Sequence, residues 1–184
     1  MLKTLRLALF RNAYRRTLTA QRRRRKIHTL ESAHTIGILF DATEEKDRHE
    51  VLELAEQLEN KRKKARLLGF VDIKKTLGQT LFAQFTQKDL RFNGVPNGEA
   101  ISAFVAENFD LLICLNPEHV PALQWIAAAS HAAMKIGTAT TAQANDFDLV
   151  VETPADKGIR FFIQQLDLYL DKIVLTKHEP AAAL

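Results

Sequence analysis

The stretch 109–137, "FDLLICLNPEHVPALQWIAAASHAAMKIG", restricts the fold more than any other part of the chain. Its first eight residues hold an unbroken apolar run of five, Leu111 to Leu115, bounded by Asn116-Pro117, the pattern of a strand buried on both faces. Pro121 to Ala133 are mostly good helix formers, and Met134 to Gly137 make a second short apolar run. Strand, helix and returning strand in this order form a crossover unit, because two parallel strands cannot be joined by a tight turn.

A second unit precedes it. "HTIGILFDAT" reads as a strand from Thr35 to Phe40 with Asp41 at its carboxyl end. The spacing of Val51, Leu54, Ala55 and Leu58 predicts a helix over 44–61, with an acidic start and a basic end that suit its dipole. "KARLLGFV" then completes the unit as a strand. Leu81 to Phe85 fits a short strand or a loop, and Asn93-Gly94, Pro96 and Gly98 mark turns. A helix over 99–108 buries Ile101, Phe104 and Val105. A last strand is expected over 147–151, and a helix over 159–175 burying Phe162, Leu166, Tyr169, Leu170 and Ile173. The nine residues "TKHEPAAAL" read as a frayed end.

These patterns predict an α/β fold: a Rossmann-like three-layer sandwich around a mostly parallel sheet of five or six strands, preceded by a basic helix or arm. The expected division is an arm and link over 1–33, one domain over 34–176 and a tail over 177–184. With 184 residues, 46% of them hydrophobic, a single core is the economical arrangement.

Charge is distributed unevenly. Residues 1–26 hold ten Lys or Arg and no acid; removing those ten from 26 leaves 16 basic residues against 22 acidic ones, a formal −6 for the remainder. Within the arm, Leu2, Leu5, Leu9 and Ala13 share one helical stripe, while Leu7, Phe10, Tyr14 and Leu18 share its neighbour. Arg11, Arg15, Arg16, Arg22, Arg23, Arg24, Arg25 and Lys26 are the candidate nucleic-acid contacts, since such cations displace the counterions of a polyphosphate. Leu2, Leu5, Leu7, Leu9 and Phe10 beside these cations also suit an anionic membrane surface. The plainer alternatives are a solvated tail, or a helix packed on its own acidic domain.

No complete catalytic motif is present. Neither a dinucleotide fingerprint nor a Walker loop occurs, and the turn after the first strand, "DATEEKD", lacks the glycine that admits phosphate. Ligands of open parallel sheets bind outside the carboxyl ends of the strands. That rule nominates Asp41, Thr43, Asn116 and Thr138 for a small ligand or sugar nucleotide; Asp72, Thr140 and Glu152 stand at other strand ends. Asp41, Asp72 and Glu152 could together hold Mg²⁺, but capping and loop solvation explain them more simply. A dehalogenase-type phosphatase would need a second Asp where Thr43 stands. The six His lack paired metal spacing and read as surface groups; Trp125 and the eleven Phe read as packing. No cofactor and no metal are expected.

Cys114, the only cysteine, sits mid-strand and fits a small core residue in a reducing compartment. Apolar runs stop at about five residues, against the roughly 20 needed to span a bilayer. A cytoplasmic protein is therefore expected, although an Arg-rich start without acids also matches an organelle transit peptide lacking serine.

"IGILFDAT", the "GF" of the second strand, "KDLRFNGVP", "FDLLICLN" and "AAAS…KIG" together resemble an uncharacterised family of short bacterial proteins, a domain of unknown function found mainly in Bacteroidota. The resemblance covers nearly the whole chain, implies that the arm belongs to the mature protein, and transfers no catalytic residue. Separately, the strand, alanine-rich helix and "KIG" strand resemble the amino-terminal half of heptosyltransferase-like enzymes over about thirty residues. Those enzymes close a donor-sugar site between two domains, and one is expected here. The resulting expectation is a non-enzymatic adaptor that docks on RNA or the ribosome, with a strand-tip ligand site or a peripheral membrane role as alternatives.

Overall fold

The computed structural model describes residues 2–116, 119–138, 147–152, 154 and 157–178. Helix α1 (Leu2–Ala20) comes first, followed by β1 (Thr35–Asp41), α2 (Glu45–Asn60) and β2 (Lys64–Val71). Next are β3 (Ala83–Thr86), a short 3₁₀ turn (Gln87–Asp89), α3 (Glu99–Ala106) and β4 (Leu111–Leu115). The chain continues with α4 (Pro121–Ala129), β5 (Met134–Thr138), β6 (Leu149–Val151) and α5 (Gly158–His178).

All six strands are parallel, in the order β3-β2-β1-β4-β5-β6. Both crossover units read from the sequence are present: β1 pairs with β2, and β4 with β5. Strand order reverses between β1 and β4, so the connections after these strands leave in opposite directions and open a crevice at their carboxyl ends.

Alternation along the strands divides the core into two layers. Ile36, Ile38 and Phe40 of β1 pack with Ile113 and Leu115 against Val51, Leu54 and Leu58 of α2 and Phe162 and Leu166 of α5. On the other face, Leu39, Leu68, Phe70, Leu112 and Cys114 meet Ile101 and Phe104 of α3 and Leu123, Ile126 and Ala127 of α4. Gly37 leaves space for the second layer: a Cβ there would lie 2.8 Å from the Phe109 ring. Burial pushes the Cys114 thiol up to about 12, which makes it an inert packing group at neutral pH.

Several expectations change. The edge strand β3 is Ala83–Thr86, displaced from 81–85 because Leu81 is exposed and Phe82 turns into the α2 layer. Helix α4 stops at Ala129, short of the expected Ala133, because Ser130 is already extended and the chain must return to start β5. Tyr169 is 37% exposed, unlike Phe162, Leu166 and Leu170. The side chain of Ile173, the greater part of the frayed end and Thr140 lie outside what is described.

The larger change concerns α1. It lies outside α4 as an additional layer, with Phe10 and Tyr14 buried against Val95 and Ala128. The rings of Phe10 and Tyr14 stack with centroids 6.1 Å apart. Of the two apolar stripes, the one carrying Phe10, Tyr14 and Leu18 is therefore the packing face, while Leu2, Leu5 and Leu9 face solvent. Helix α4 explains the choice: Ala122, Leu123, Ile126, Ala127, Ala128 and Ala129 are all buried, so it is apolar on nearly every side and needs cover on both.

Candidate functional site

Helix α4 ends with carbonyls that have no partner inside the helix, and two side chains satisfy three of them. Gln21 Nε2 donates to Ala129 O at 2.7 Å and also to Ser130 O, and Lys135 Nζ donates to Ala128 O at 3.2 Å. Arg23 continues the pattern at the next turn, donating to Ala132 O and Ala133 O. Its side chain is 6% exposed and pairs with Asp148 at 2.7 Å. The Lys26 amide donates to Ala133 O at 3.2 Å. The polybasic run is thus drawn across the amino-terminal edge of the sheet.

The cations divide accordingly. The Arg23 side chain is buried and committed to the fold. Among the described residues Arg11, Arg15, Arg16, Arg22, Arg24 and Lys26 are exposed without an ion pair, and Arg25 reaches Asp148 only at 3.7 Å with most of its side chain in solvent. Residues 22–26, with His28, Asn108, Asp110 and His131, line a cleft of about 590 Å³. His28 is buried, which corrects its reading as a surface group; its Nδ1 has no hydrogen-bond partner, and its Nε2 lies 3.9 Å from Asp110. Burial acts to raise the Asp110 carboxyl, but the amides of Thr35 and His34 outweigh it and hold this group below its ordinary range.

At the opposite edge the strand tips form a different site. Asp41 Oδ1 accepts from the Thr43 amide at 2.9 Å, and Thr43 Oγ1 accepts from the Asp72 amide at 2.9 Å, tying the ends of β1 and β2 together. Thr138 Oγ1 donates to Asn116 O at 2.8 Å and does the same for β5 and β4. Asn116 is 1% exposed and its Oδ1 has no partner among the described residues. Of the four candidate ligand residues, Asp41 lines the strand-tip cleft, Asn116 lies beside it in register, and the two threonine hydroxyls join strands. The remaining lining includes Asp72, Phe70, Leu90, Asn93 and His119, with Arg6, Leu7 and Phe10 of α1 forming one wall. The cleft measures about 490 Å³.

Sequence reasoning had no means of placing Arg6 or Leu90 at this cleft, because their position depends on α1 docking and on the turn at Asn93-Gly94. That turn was legible: Gly94 adopts φ +81° and its amide donates to Arg91 O at 2.7 Å. Negative potential is felt here, since burial first and the Asp41 charge second raise the Asp47 carboxyl. Glu152 follows β6 at the sheet's edge, with β5 and β4 between it and β1, so it does not join Asp41 and Asp72. Among the described residues no group of three or more His, Cys, Asp or Glu is placed to hold a metal ion.

Fold and sites together define a six-stranded parallel α/β protein with a docked basic helix, an amino-edge basic cleft and a carboxyl-edge crevice. Residues 6–173 match the model of a family of unknown function, DUF6913, and the chain belongs to that family. The match takes in most of α1 together with the sheet, so helix and domain form one family unit. No curated protein matches the chain. Among the described residues no helix is long and apolar enough to cross a membrane.

Proposed function

We propose that this chain is a non-enzymatic RNA-binding adaptor of the bacterial cytoplasm, which docks on RNA or the ribosome through the outer surface of α1 and the run that follows it. One observation carries the reading: Phe10, Tyr14, Gln21 and Arg23 fasten the segment to the domain, while Arg11, Arg15, Arg16, Arg22, Arg24, Arg25 and Lys26 remain exposed along it. A flexible tail would lose conformational entropy on meeting RNA; cations on a docked segment have already lost most of it. The domain's formal negative charge keeps the rest of the surface off the phosphates.

A membrane role is the second reading: Phe10 is buried in the domain and cannot insert, but Leu2, Leu5, Leu7 and Leu9 are exposed on the same helix. The similarity of the central unit to heptosyltransferase-like enzymes contributes kinship of fold, with no second domain in the described residues to close a sugar site. The test is sedimentation of the full chain with RNA, and separately with anionic vesicles, at low and high salt. Pelleting with RNA that is lost when Arg11, Arg15, Arg16, Arg22, Arg24 and Lys26 become Gln supports the reading. Pelleting with vesicles alone, or with neither, overturns it. Deleting the arm is unsuitable, since it would strip the cover from α4.

A further inference from the structure

We propose that the strand-tip cleft binds a small zwitterion of the α-amino-acid class with an apolar side chain, its ammonium on Asp41 and Asp72 and its carboxylate on Arg6. The cleft stands where strand order reverses, between the tips of β1, β2 and β4, and its volume of about 490 Å³ falls within the range of small-molecule pockets.

Each carboxylate on the sheet side has one oxygen engaged. Asp41 Oδ1 takes the Thr43 amide, and Asp72 Oδ1 takes Gln87 Nε2 at 2.8 Å. Among the described residues the second oxygen of each has no hydrogen bond. Asp41 therefore presents an acceptor to the cleft from the end of β1, and Asp72 another from the end of β2. Across from them, Arg6 of α1 forms no ion pair among the described residues, and its guanidinium lies over Gly94, where an added Cβ would meet Nε at 3.7 Å. Between these charges the walls are apolar: Phe70 from the sheet, Leu90 from the turn, and Leu7 and Phe10 from α1.

Beside the cleft, though not in its lining, stands a buried polar group whose oxygen lacks a partner among the described residues. Asn116 follows the last residue of β4, and the pairing of Phe40 with Leu115 puts it next to Asp41, on the sheet face shared with Leu39 and Cys114. Its Oδ1 is buried and unpaired, and a buried acceptor without a donor is uncommon in a folded protein.

Ligand chemistry follows from the arrangement of the walls. A nucleotide finds neither a glycine-rich turn nor a cluster of cations, and its phosphates would face Asp41 and Asp72. A diamine leaves Arg6 without a counter-charge, and a sugar leaves the apolar walls unused. An amino acid with an apolar side chain meets all three wall types. Because Arg6, Leu7 and Phe10 belong to α1, such a ligand binds only while that helix is docked, and its binding holds the helix in place.

The experiment is thermal unfolding of the full chain with millimolar L-leucine, L-phenylalanine and L-tryptophan, and separately with ADP, glucose 1-phosphate and putrescine. Asp41→Asn and Arg6→Gln are compared with wild type. The expected result is a rise in Tm of roughly 5–10 °C near a hundredfold excess over Kd for at least one of the amino acids. It should be lost in both variants, whose unliganded Tm stays close to wild type because an asparagine oxygen can still accept from the Thr43 amide and neither side chain is in an ion pair among the described residues. No shift with any amino acid overturns the proposal. A shift that persists in Asp41→Asn, or one produced only by ADP, glucose 1-phosphate or putrescine, also overturns it. RNA binding plays no part in this test, so either proposal can fail alone.

Discussion

The two edges of the sheet carry similar residue types and use them in opposite ways. At the amino-terminal edge the carboxylates serve the fold: Asp110 Oδ2 accepts the amides of both His34 and Thr35, with His28 3.9 Å from its Oδ1, and both oxygens of Asp148 are taken by Arg23 and the Lys135 amide. At the carboxyl-terminal edge, among the described residues, Asp41 and Asp72 each keep an oxygen without a partner, and Asn116 Oδ1 is buried and unpaired. Engaged polar groups fasten the structure, and removing one leaves its partner buried at a cost; unengaged groups are available to a ligand. The cations differ in the same way: Arg23 holds the arm, and its sequence neighbours Arg22 and Arg24 face solvent.

Breaking the fastened edge should have the largest effect. Arg23→Met removes the ion pair and two hydrogen bonds to carbonyls, and should cost about 3 kcal/mol in denaturant unfolding. Both edges depend on the docking of α1. Tyr14→Ala, which opens a space between Val95 and Ala128, should cost about 2 kcal/mol and speed hydrogen exchange through α1 before the sheet is affected.

A smaller effect distinguishes the edges by pH. Burial, then the charge of Arg23, lowers the Lys135 amine to about 7, far below its ordinary 10.5. Between these values the unfolded chain binds the proton that the folded chain releases, so this group makes stability rise with pH from about 7 toward 10.5. Wild type should therefore gain stability relative to Lys135→Met as pH goes from 7 to 8.5, measured by denaturant titration at each pH. A flat difference would mean that the amine titrates alike in both states. Smallest of all should be the change in unfolding free energy for Asp72→Asn at the open edge, within about 0.5 kcal/mol, because that side chain is exposed and bound only to Gln87.

Much of the sheet was legible because its signals are local. The run Ile36 to Phe40, the spacing of Val51, Leu54 and Leu58, and the turn at Asn93-Gly94 report on their own neighbourhood, and the strand-tip rule located Asp41 without a structure. The docking of α1 was not legible from α1 itself, since two adjacent stripes were both apolar. The clue lay in "PALQWIAAA", whose helix has no polar side and so requires a neighbour beyond the sheet. The partnership of Arg23 with Asp148 spans 125 residues, and no local pattern encodes it. His28 was misread for a similar reason, its burial arising from the return of the basic run across the sheet edge.

The most direct measurement of the central claim is the salt dependence of RNA affinity for the full chain and for the variant with Arg11, Arg15, Arg16, Arg22, Arg24 and Lys26 changed to Gln. If these cations meet phosphates of single-stranded RNA, log K should fall against log salt with a slope of roughly −4 to −5, and the variant should lose most of that slope. The variant's unfolding midpoint should remain that of wild type. A slope unchanged by the six substitutions, or an affinity insensitive to salt, would contradict the assignment of this surface to RNA.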